Sequence, residues 1–131
     1  MTEMKVYLAG GMKSGWREQV KREVPGITYL DPCEHGYDDP ALYSVWDARA
    51  IDACDLLFGY LEAENPSGYG LSAEIGRACA LGKLIILVDE KTAQGVPGAR
   101  YFALVRQWSH IVVDTLDEGL EHLARFVRIY Q

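Results

Sequence analysis

The sequence has few cysteines and no long hydrophobic run. Its three cysteines, Cys33, Cys54 and Cys79, lie far apart and form no C-x-x-C pair. This pattern provides neither a disulfide framework nor a cysteine zinc site, so we expect a reducing compartment. The longest aliphatic run, 84–88, is far shorter than the roughly 20 residues that a membrane span needs. The first residues, with an acid at Glu3, do not have the pattern of a secretory signal, and we expect a cytoplasmic protein with no membrane partner.

Basic residues are in the minority. The 131 residues include 13 Lys and Arg against 19 Asp and Glu, for a formal net charge of -6. Binding to the phosphate backbone of a nucleic acid needs concentrated positive charge, so we expect no nucleic-acid partner. What the chain does have is 49% hydrophobic and 24% charged residues, the balance of a soluble globular domain with its own core.

Short apolar runs alternate with longer amphipathic segments along the chain. This alternation predicts β-α-β units and therefore a single-domain α/β fold, a five-stranded parallel sheet flanked by helices in a flavodoxin- or Rossmann-like three-layer sandwich. The predicted strands are 5–9, 27–30, 56–61, 84–88 and 111–113, and the predicted helices are 15–24, 40–54, 71–81, 99–108 and 116–129.

The loops after the first three strands are candidates for a ligand site. In an open parallel sheet, ligands bind beyond the carboxyl ends of the strands. The loops at 10–16, 31–39 and 62–70 are rich in Gly, Asp, Glu, Ser and aromatic residues. The sequence therefore predicts a site where these loops meet.

Asp47 lies in the apolar arc of the second predicted helix. At about 100° per residue, it shares this arc with Leu42, Ile51 and Cys54. Burial raises the pKa of a carboxyl group, which would let Asp47 hold and donate a proton near neutral pH. The alternative is a structural acid that caps a backbone N–H or pairs with a cation.

Glu74 lies beside the apolar stripe of Leu71, Ile75 and Ala78 in the third predicted helix. Since that helix follows Gly70, we expect Glu74 in its first turn, where free N–H groups and the helix dipole favour the ionised form. An ionised, partly buried carboxylate is a candidate nucleophile, whereas the alternative is a Glu that only stabilises its own helix. Two carboxylates whose pKa values are pushed apart are typical of glycosidic chemistry.

Other motifs are incomplete. The segment 68–70 lacks the third glycine of a dinucleotide-binding fingerprint, and 10–14 lacks the glycines of a phosphate-binding P-loop, which excludes nucleoside triphosphate hydrolysis. His35, His110 and His122 have no metal-ligand spacing, so we interpret them as surface or core residues and expect no metal.

Two runs carry a family resemblance. Asp47 is followed eight residues later by Asp55, and positions 70–83 read G-x-x-x-E-I-G-x-A-x-A-x-G-K. With Tyr7 at the end of the first strand, these runs make the chain resemble the nucleoside 2-deoxyribosyltransferase family over roughly positions 4–90. The resemblance implies one domain of this kind, an enzyme of nucleotide salvage that needs no cofactor.

The resemblance also implies roles for individual residues. Glu74 would attack C1′ of a 2′-deoxynucleoside and form a glycosyl-enzyme ester. Asp47 would protonate the departing base and deprotonate its replacement, and Tyr7 would orient Glu74. The partners would be a small-molecule deoxynucleoside and a free nucleobase. The strand-end loops would bind the substrate through Gly10, Gly11, Trp16, Asp31, Ser67, Gly68 and Gly70.

The chain departs from the family where the sugar binds. Members that bind a free 5′-hydroxyl commonly have an acid six residues before the nucleophile, where this chain has Gly68, preceded by Ser67. A glycine-rich loop with a serine at a helix N-terminus is also able to hold a phosphate, as in the related deoxynucleoside 5′-monophosphate N-hydrolases. Glu62 and Glu64 flank the loop and would repel a dianion. A transferase, a monophosphate N-hydrolase and a non-catalytic nucleotide-sensing module therefore stay open.

The resemblance also concerns packing and assembly. The family's transferases complete the pocket with a residue from the C-terminal third of a neighbouring subunit, which implies a homo-oligomer, although no segment between Gly95 and Trp108 matches that element. Gly76, which has no Cβ, is expected to let the third helix pack closely on the sheet.

Overall fold

The computed structural model of the protein describes residues 3–130, in which one parallel sheet lies between two layers of helices. Positions 1, 2 and 131 of the predicted domain lie outside the described residues. The strands are β1 (Met4–Gly10), β2 (Ile27–Leu30), β3 (Leu56–Leu61), β4 (Leu84–Asp89) and β5 (Ile111–Val113). The α-helices are α1 (Trp16–Glu23), α2 (Pro40–Ala53), α3 (Tyr69–Ala80), α4 (Glu90–Ala93), α5 (Ala103–Trp108) and α6 (Leu116–Val127), with 3-10 turns at Pro32–Glu34, Ala99–Phe102 and Arg128–Tyr130.

The predicted fold class and all five predicted strands are confirmed. Strands buried on both faces read as apolar runs, which is why the sequence located them. The helices differ more from their predicted bounds than the strands do. Helix α3 begins at Tyr69 rather than at position 71, and the predicted helix 99–108 divides into a 3-10 turn and α5. The four-residue α4 has too few turns to show a periodic pattern and was not predicted. Among the described residues, no helix has both the length and the apolar character needed to cross a membrane.

The strand order is β2-β1-β3-β4-β5, with every neighbouring pair parallel. The chain leaves β1 toward β2 on one side and returns to β3 on the other, so the winding direction changes between β1 and β3. Gly10 pairs with Tyr60 at this point, which brings the loops that follow β1 and β3 side by side. A ligand site is expected there in this class of fold.

The sheet separates two apolar cores. One core lies between the sheet and helices α1 and α6, and the other lies between the sheet and helices α2, α3 and α5. Gly59 of β3 lets α3 approach the sheet closely, because a Cβ there would lie 3.1 Å from Cδ1 of Leu71 and 3.4 Å from Cδ1 of Leu87. The fully buried Ile75 anchors the same helix.

Two predictions about helix packing are wrong. Gly76 does not face the sheet, since a Cβ there would lie 3.3 Å from the Trp108 ring of α5. The close approach of α3 to the sheet depends instead on Gly59. The apolar arc predicted for α2 holds only near its end, where Ala50 and Ile51 are buried, whereas Leu42 in its first turn is 52% exposed.

Candidate active site

A cavity of about 580 Å³ opens at the switch point between β1 and β3. Its walls come from the loops that follow these two strands and from side chains of α2 and α3. Of the residues that the sequence predicted for substrate binding, those lining the cavity are Gly10, Gly11, Ser67, Gly68 and Gly70. Asp47 and Glu74 line it as well.

Two glycines let the cavity-lining loops come together. Gly10 has a φ of 148°, and a Cβ there would lie 2.6 Å from the carbonyl oxygen of Tyr60. A Cβ on Gly11 would lie 3.1 Å from both Oε1 of Glu62 and Nδ2 of Asn65. A side chain at Gly10 would therefore clash with the backbone of β3, whereas one at Gly11 would displace the side chains of Glu62 and Asn65.

Tyr7 and Glu74 meet at the base of the cavity. The Tyr7 side chain is fully buried, and its hydroxyl donates a hydrogen bond to Oε2 of Glu74. The pKa of Glu74 is raised to about 7, chiefly by burial and also by the charge of Asp47, whereas the hydrogen bond from Tyr7 and the charge of Arg17 act in the opposite direction. Burial, together with the neighbouring carboxylate, also raises the pKa of Tyr7, which therefore remains a hydrogen-bond donor.

The expected ionisation of Glu74 by its helix terminus is wrong. Because α3 begins at Tyr69, Glu74 lies in the second turn, beyond the free N–H groups of the first turn. The dipole effect falls off within that first turn, and burial dominates instead. Glu74 therefore holds its proton more tightly than an exposed carboxyl group does.

Asp47 lies on the α2 side of the cavity, with a side chain that is 23% exposed. Burial raises its pKa, which confirms the predicted direction, while His35 and Arg17 act in the opposite sense. Its Oδ1 atom is buried and makes no hydrogen bond with any residue that the structure describes. Nε2 of His35 lies 3.5 Å from this oxygen.

Asp31, a predicted substrate-binding residue, does not line the cavity. It is 2% exposed and binds Arg17, with an Oδ1–Nε distance of 3.1 Å, and Lys21, with an Oδ2–Nζ distance of 2.7 Å. Its Oδ1 also accepts a hydrogen bond from the backbone N–H of Cys33. These contacts make Asp31 a structural acid below the loop that follows β2.

Trp16 does not line the cavity either. Its side chain packs against Phe58 and Tyr60 in the α1 core, where the residue is 3% exposed. Its indole N–H donates to the carbonyl of Gly11 at 2.9 Å. Trp16 thus supports the loop from below.

Arg17 organises the loop after β1 from a buried position. Its guanidinium donates hydrogen bonds to the backbone carbonyls of Leu8, Gly10 and Gly11, while Asp31 offsets its charge. Since these partners occupy the guanidinium, Arg17 contributes mainly a fixed positive charge beneath the cavity.

The loop after β3 is held from below by the start of α4. Lys91 is 6% exposed and donates to the carbonyls of Ala63 and Asn65, while Glu90 accepts the N–H of Ala63. Both the N–H and the hydroxyl of Ser67 donate to Oδ1 of Asn65, at 3.1 and 3.3 Å. The loop therefore has a defined shape before any ligand binds.

The cavity is acidic. Four carboxylates line it, whereas the cations that line it are Lys13 and Arg17, and the charge of Arg17 is offset by Asp31. The four carboxylates belong to Asp47, Glu62, Glu64 and Glu74. Among the described residues, no group of three or more His, Cys, Asp or Glu side chains is arranged to hold a metal ion.

Searches against protein-family models and curated proteins find no match for this sequence. Solved structures do match. A conserved protein from Enterococcus faecalis V583 has a TM-score of 0.64 at 18% identity, covering 99% of this chain and 100% of its own. The Clostridium botulinum CMP N-glycosidase BcmB has a TM-score of 0.60 at 24% identity, covering 91% of this chain and 97% of its own. These likenesses show a shared fold over nearly the whole chain.

His35 is the residue of the site that the sequence did not reveal. Its side chain is only 7% exposed, and its ring packs against Tyr37 and Trp46, at centroid distances of 5.2 and 4.8 Å. The available signal was its position in the loop after β2, one of the three strand-end loops. The number of residues between His35 and Asp47 does not predict their contact, because that contact depends on the conformation of the loop.

Proposed function

We propose that the protein cleaves the N-glycosidic bond of a 2′-deoxynucleoside and transfers the deoxyribosyl group to another nucleobase. The observation that carries this proposal is that the buried Tyr7 holds Glu74, which lines the same cavity as Asp47. A nucleophilic carboxylate and a second, proton-holding carboxyl group are what glycosyl transfer with a covalent intermediate requires.

The first step forms a glycosyl ester. The ionised Glu74 attacks C1′ through the oxygen that Tyr7 does not bind, and the bond from C1′ to the base nitrogen breaks. The electron pair of that bond leaves with the base, which takes a proton from Asp47. Tyr7 holds Oε2 of Glu74, so the attacking oxygen has a fixed direction.

The second step reverses the first with a different base. A nitrogen of the incoming base attacks C1′ and loses its proton to Asp47, while the ester bond breaks and the Glu74 carboxylate is restored. Water would give hydrolysis at the same point. Because Glu74 must be ionised to attack, and its pKa is about 7, we expect kcat/KM to rise as the pH passes through neutrality.

The charge of the cavity supports an unphosphorylated substrate. Glu62 and Glu64 face the space and would repel a phosphate dianion. The hydroxyl of Ser67, the candidate phosphate ligand, already donates to Asn65. A 5′-monophosphate N-hydrolase is nevertheless a second candidate, since a protein of the same fold is a CMP N-glycosidase.

Exposed apolar side chains support a homo-oligomer. On α2, Leu42 and Val45 are 52% and 53% exposed, and near α5 the exposed groups include Tyr101 and Leu104 at 77% and 58%. Large apolar groups collected on one helical layer are typical of protein interfaces. We propose that a second copy of the chain covers this layer.

One reaction mixture tests the chemistry. It contains deoxyadenosine, deoxyadenosine monophosphate and a different free base, and its products are separated by chromatography. The exchanged nucleoside is expected, and Glu74→Ala should abolish it while Glu121→Ala, an exposed acid on α6, should not. Free base with deoxyribose 5-phosphate would favour the hydrolase. No base release from either substrate would contradict catalysis, and ligand-induced thermal stabilisation alone would then favour a sensing module.

A further inference from the structure

His35 contacts Asp47, which lines the cavity, but His35 does not line the cavity itself. Neither the sequence motifs nor the reaction steps above use it. We propose that His35 is a positioning residue, a fixed donor to Oδ1 of Asp47 that leaves Oδ2 to exchange a proton with the nucleobase. This inference rests on the proposed function.

The hydrogen bond on the other side of the ring fixes the tautomer of His35. The backbone N–H of Tyr37 donates to Nδ1 of His35 at 2.9 Å, so Nδ1 must be unprotonated. The proton of the neutral ring is then on Nε2, the atom that faces Oδ1 of Asp47 at 3.5 Å.

Packing fixes the orientation of the ring. Tyr37 stacks on it with an interplanar angle of 24°, and Trp46 meets it edge-on at 65°. Because only 7% of the side chain is exposed, the ring has little freedom to turn Nε2 away from Asp47. The fold therefore presents one donor, in one direction, to one carboxylate.

Asp47 has a matching need for this donor. Its Oδ1 is buried and has no hydrogen bond from any described residue, and such an atom is costly to leave unpaired. Catalytic hydrogen bonds are often long in unliganded enzymes and shorten when substrate binds. A contact of 3.5 Å between Nε2 of His35 and an unpaired acceptor fits that situation.

The proposed reaction uses Asp47 as an acid in one step and as a base in the next. Such a group must release and regain its proton easily, although burial favours its protonated form. A hydrogen-bond donor on Oδ1 stabilises the carboxylate and opposes that effect. The other charged or titratable groups near Asp47 are Arg17, Glu74 and Tyr7.

Two substitutions separate positioning from packing. His35→Leu keeps an apolar side chain between Tyr37 and Trp46 but removes the donor, whereas His35→Gln places an amide N–H near the position of Nε2. The matched control is His110→Leu, because Nδ1 of His110 also accepts a backbone N–H, from Ile85 at 3.1 Å, but His110 does not line the cavity. Urea unfolding checks that each variant is folded.

Two substrates separate leaving-group protonation from the other steps. An ordinary 2′-deoxynucleoside needs a proton on its departing base, whereas 7-methyl-2′-deoxyguanosine carries a positive charge and releases a neutral base without one. We expect His35→Leu to lose roughly 10- to 100-fold in kcat on the ordinary substrate, the range for a hydrogen bond to a charged group. On the methylated substrate we expect a loss below roughly threefold.

The pH profile provides an independent measurement. Loss of the donor favours protonated Asp47, so at least one apparent pKa of the kcat/KM profile should rise in His35→Leu. The profile should return toward that of the wild type in His35→Gln and remain unchanged in His110→Leu.

Each result decides between defined alternatives. An equal loss of kcat on both substrates in His35→Leu, with an unchanged pH profile, would mean that His35 has only a structural role. No loss of kcat on either substrate would mean that it has no role in the reaction. Either result overturns this inference but not the proposed function. If the wild-type protein releases base from neither substrate, the proposed function fails, and the inference fails with it.

Discussion

Replacing Glu74 by Gln should stabilise the protein, and should do so only at neutral and alkaline pH. Burial raises the pKa of this carboxyl group from its ordinary value of 4.5 to about 7. Gln has nearly the same shape and also accepts the Tyr7 hydrogen bond, but it never ionises. The substitution therefore removes the cost of a buried charge while leaving the surrounding contacts in place.

The size of the effect follows from the two pKa values. Between pH 4.5 and pH 7 the folded state binds more protons than the unfolded state, so the wild-type free energy of unfolding falls as the pH rises. The stabilisation that the protonated Glu74 contributes is fully present below pH 4.5 and is lost once the pH has risen above 7. A difference of about 2.5 in pKa, at about 1.4 kcal/mol for each unit, corresponds to about 3 kcal/mol.

Urea unfolding at pH 5 and at pH 8.5 measures this dependence without knowledge of the substrate. Relative to the wild type, the Glu74→Gln variant should gain about 2 to 3 kcal/mol more at pH 8.5 than at pH 5. Glu121→Gln, an exposed substitution on α6, controls for the loss of one negative charge. The reasoning is refuted if the gain is the same at both pH values or is larger at pH 5.

The remaining expectations concern activity and packing. Tyr7→Phe removes a hydrogen bond that lowers the pKa of the nucleophile, so the acid limb of kcat/KM should move up by roughly 1 to 2 pH units; an unmoved limb would contradict this. Glu62→Gln combined with Glu64→Gln should lower KM for a 5′-monophosphate roughly tenfold relative to KM for the nucleoside, as measured by steady-state kinetics. An unchanged ratio of the two KM values would mean that neither acid interacts with the 5′ group. Gly59→Ala should destabilise the fold by about 1 to 3 kcal/mol in urea unfolding, since the added Cβ crowds α3. An unchanged free energy of unfolding would show that α3 moves away from the sheet without cost.

The parts of the fold set by local patterns were predictable. Each strand is an apolar run of the right length, and the strand-end rule predicted a site at the loops after β1, β2 and β3, of which the first and third form most of the cavity wall. The helical wheel also indicated that burial would raise the pKa of Asp47. These conclusions need only the periodicity of the sequence and the topology that it implies.

The parts set by long-range contacts were not predictable. Trp16 and Asp31 are polar or aromatic loop-end residues like those of a ligand site, but one packs on Phe58 and the other binds Arg17. Nothing in the local sequence distinguishes a side chain that faces a cavity from one that faces the core below it. The position of His35 beside Asp47 likewise depends on the conformation of the whole loop between β2 and α2.

The protonation of Glu74 is a property of the core as much as of the site. Gly59 lets α3 lie close to β3, and this close packing buries Glu74 and brings it onto the hydroxyl of Tyr7. Burial raises the pKa of the carboxyl group and the hydrogen bond lowers it, so both opposing effects depend on the distance between helix and sheet. A substitution at Gly59, which does not line the cavity, should therefore change the pH dependence of the reaction as well as the stability of the fold. Measuring both in Gly59→Ala would show whether packing and chemistry are coupled in this way, and a destabilised variant with an unchanged pH profile would show that they are not.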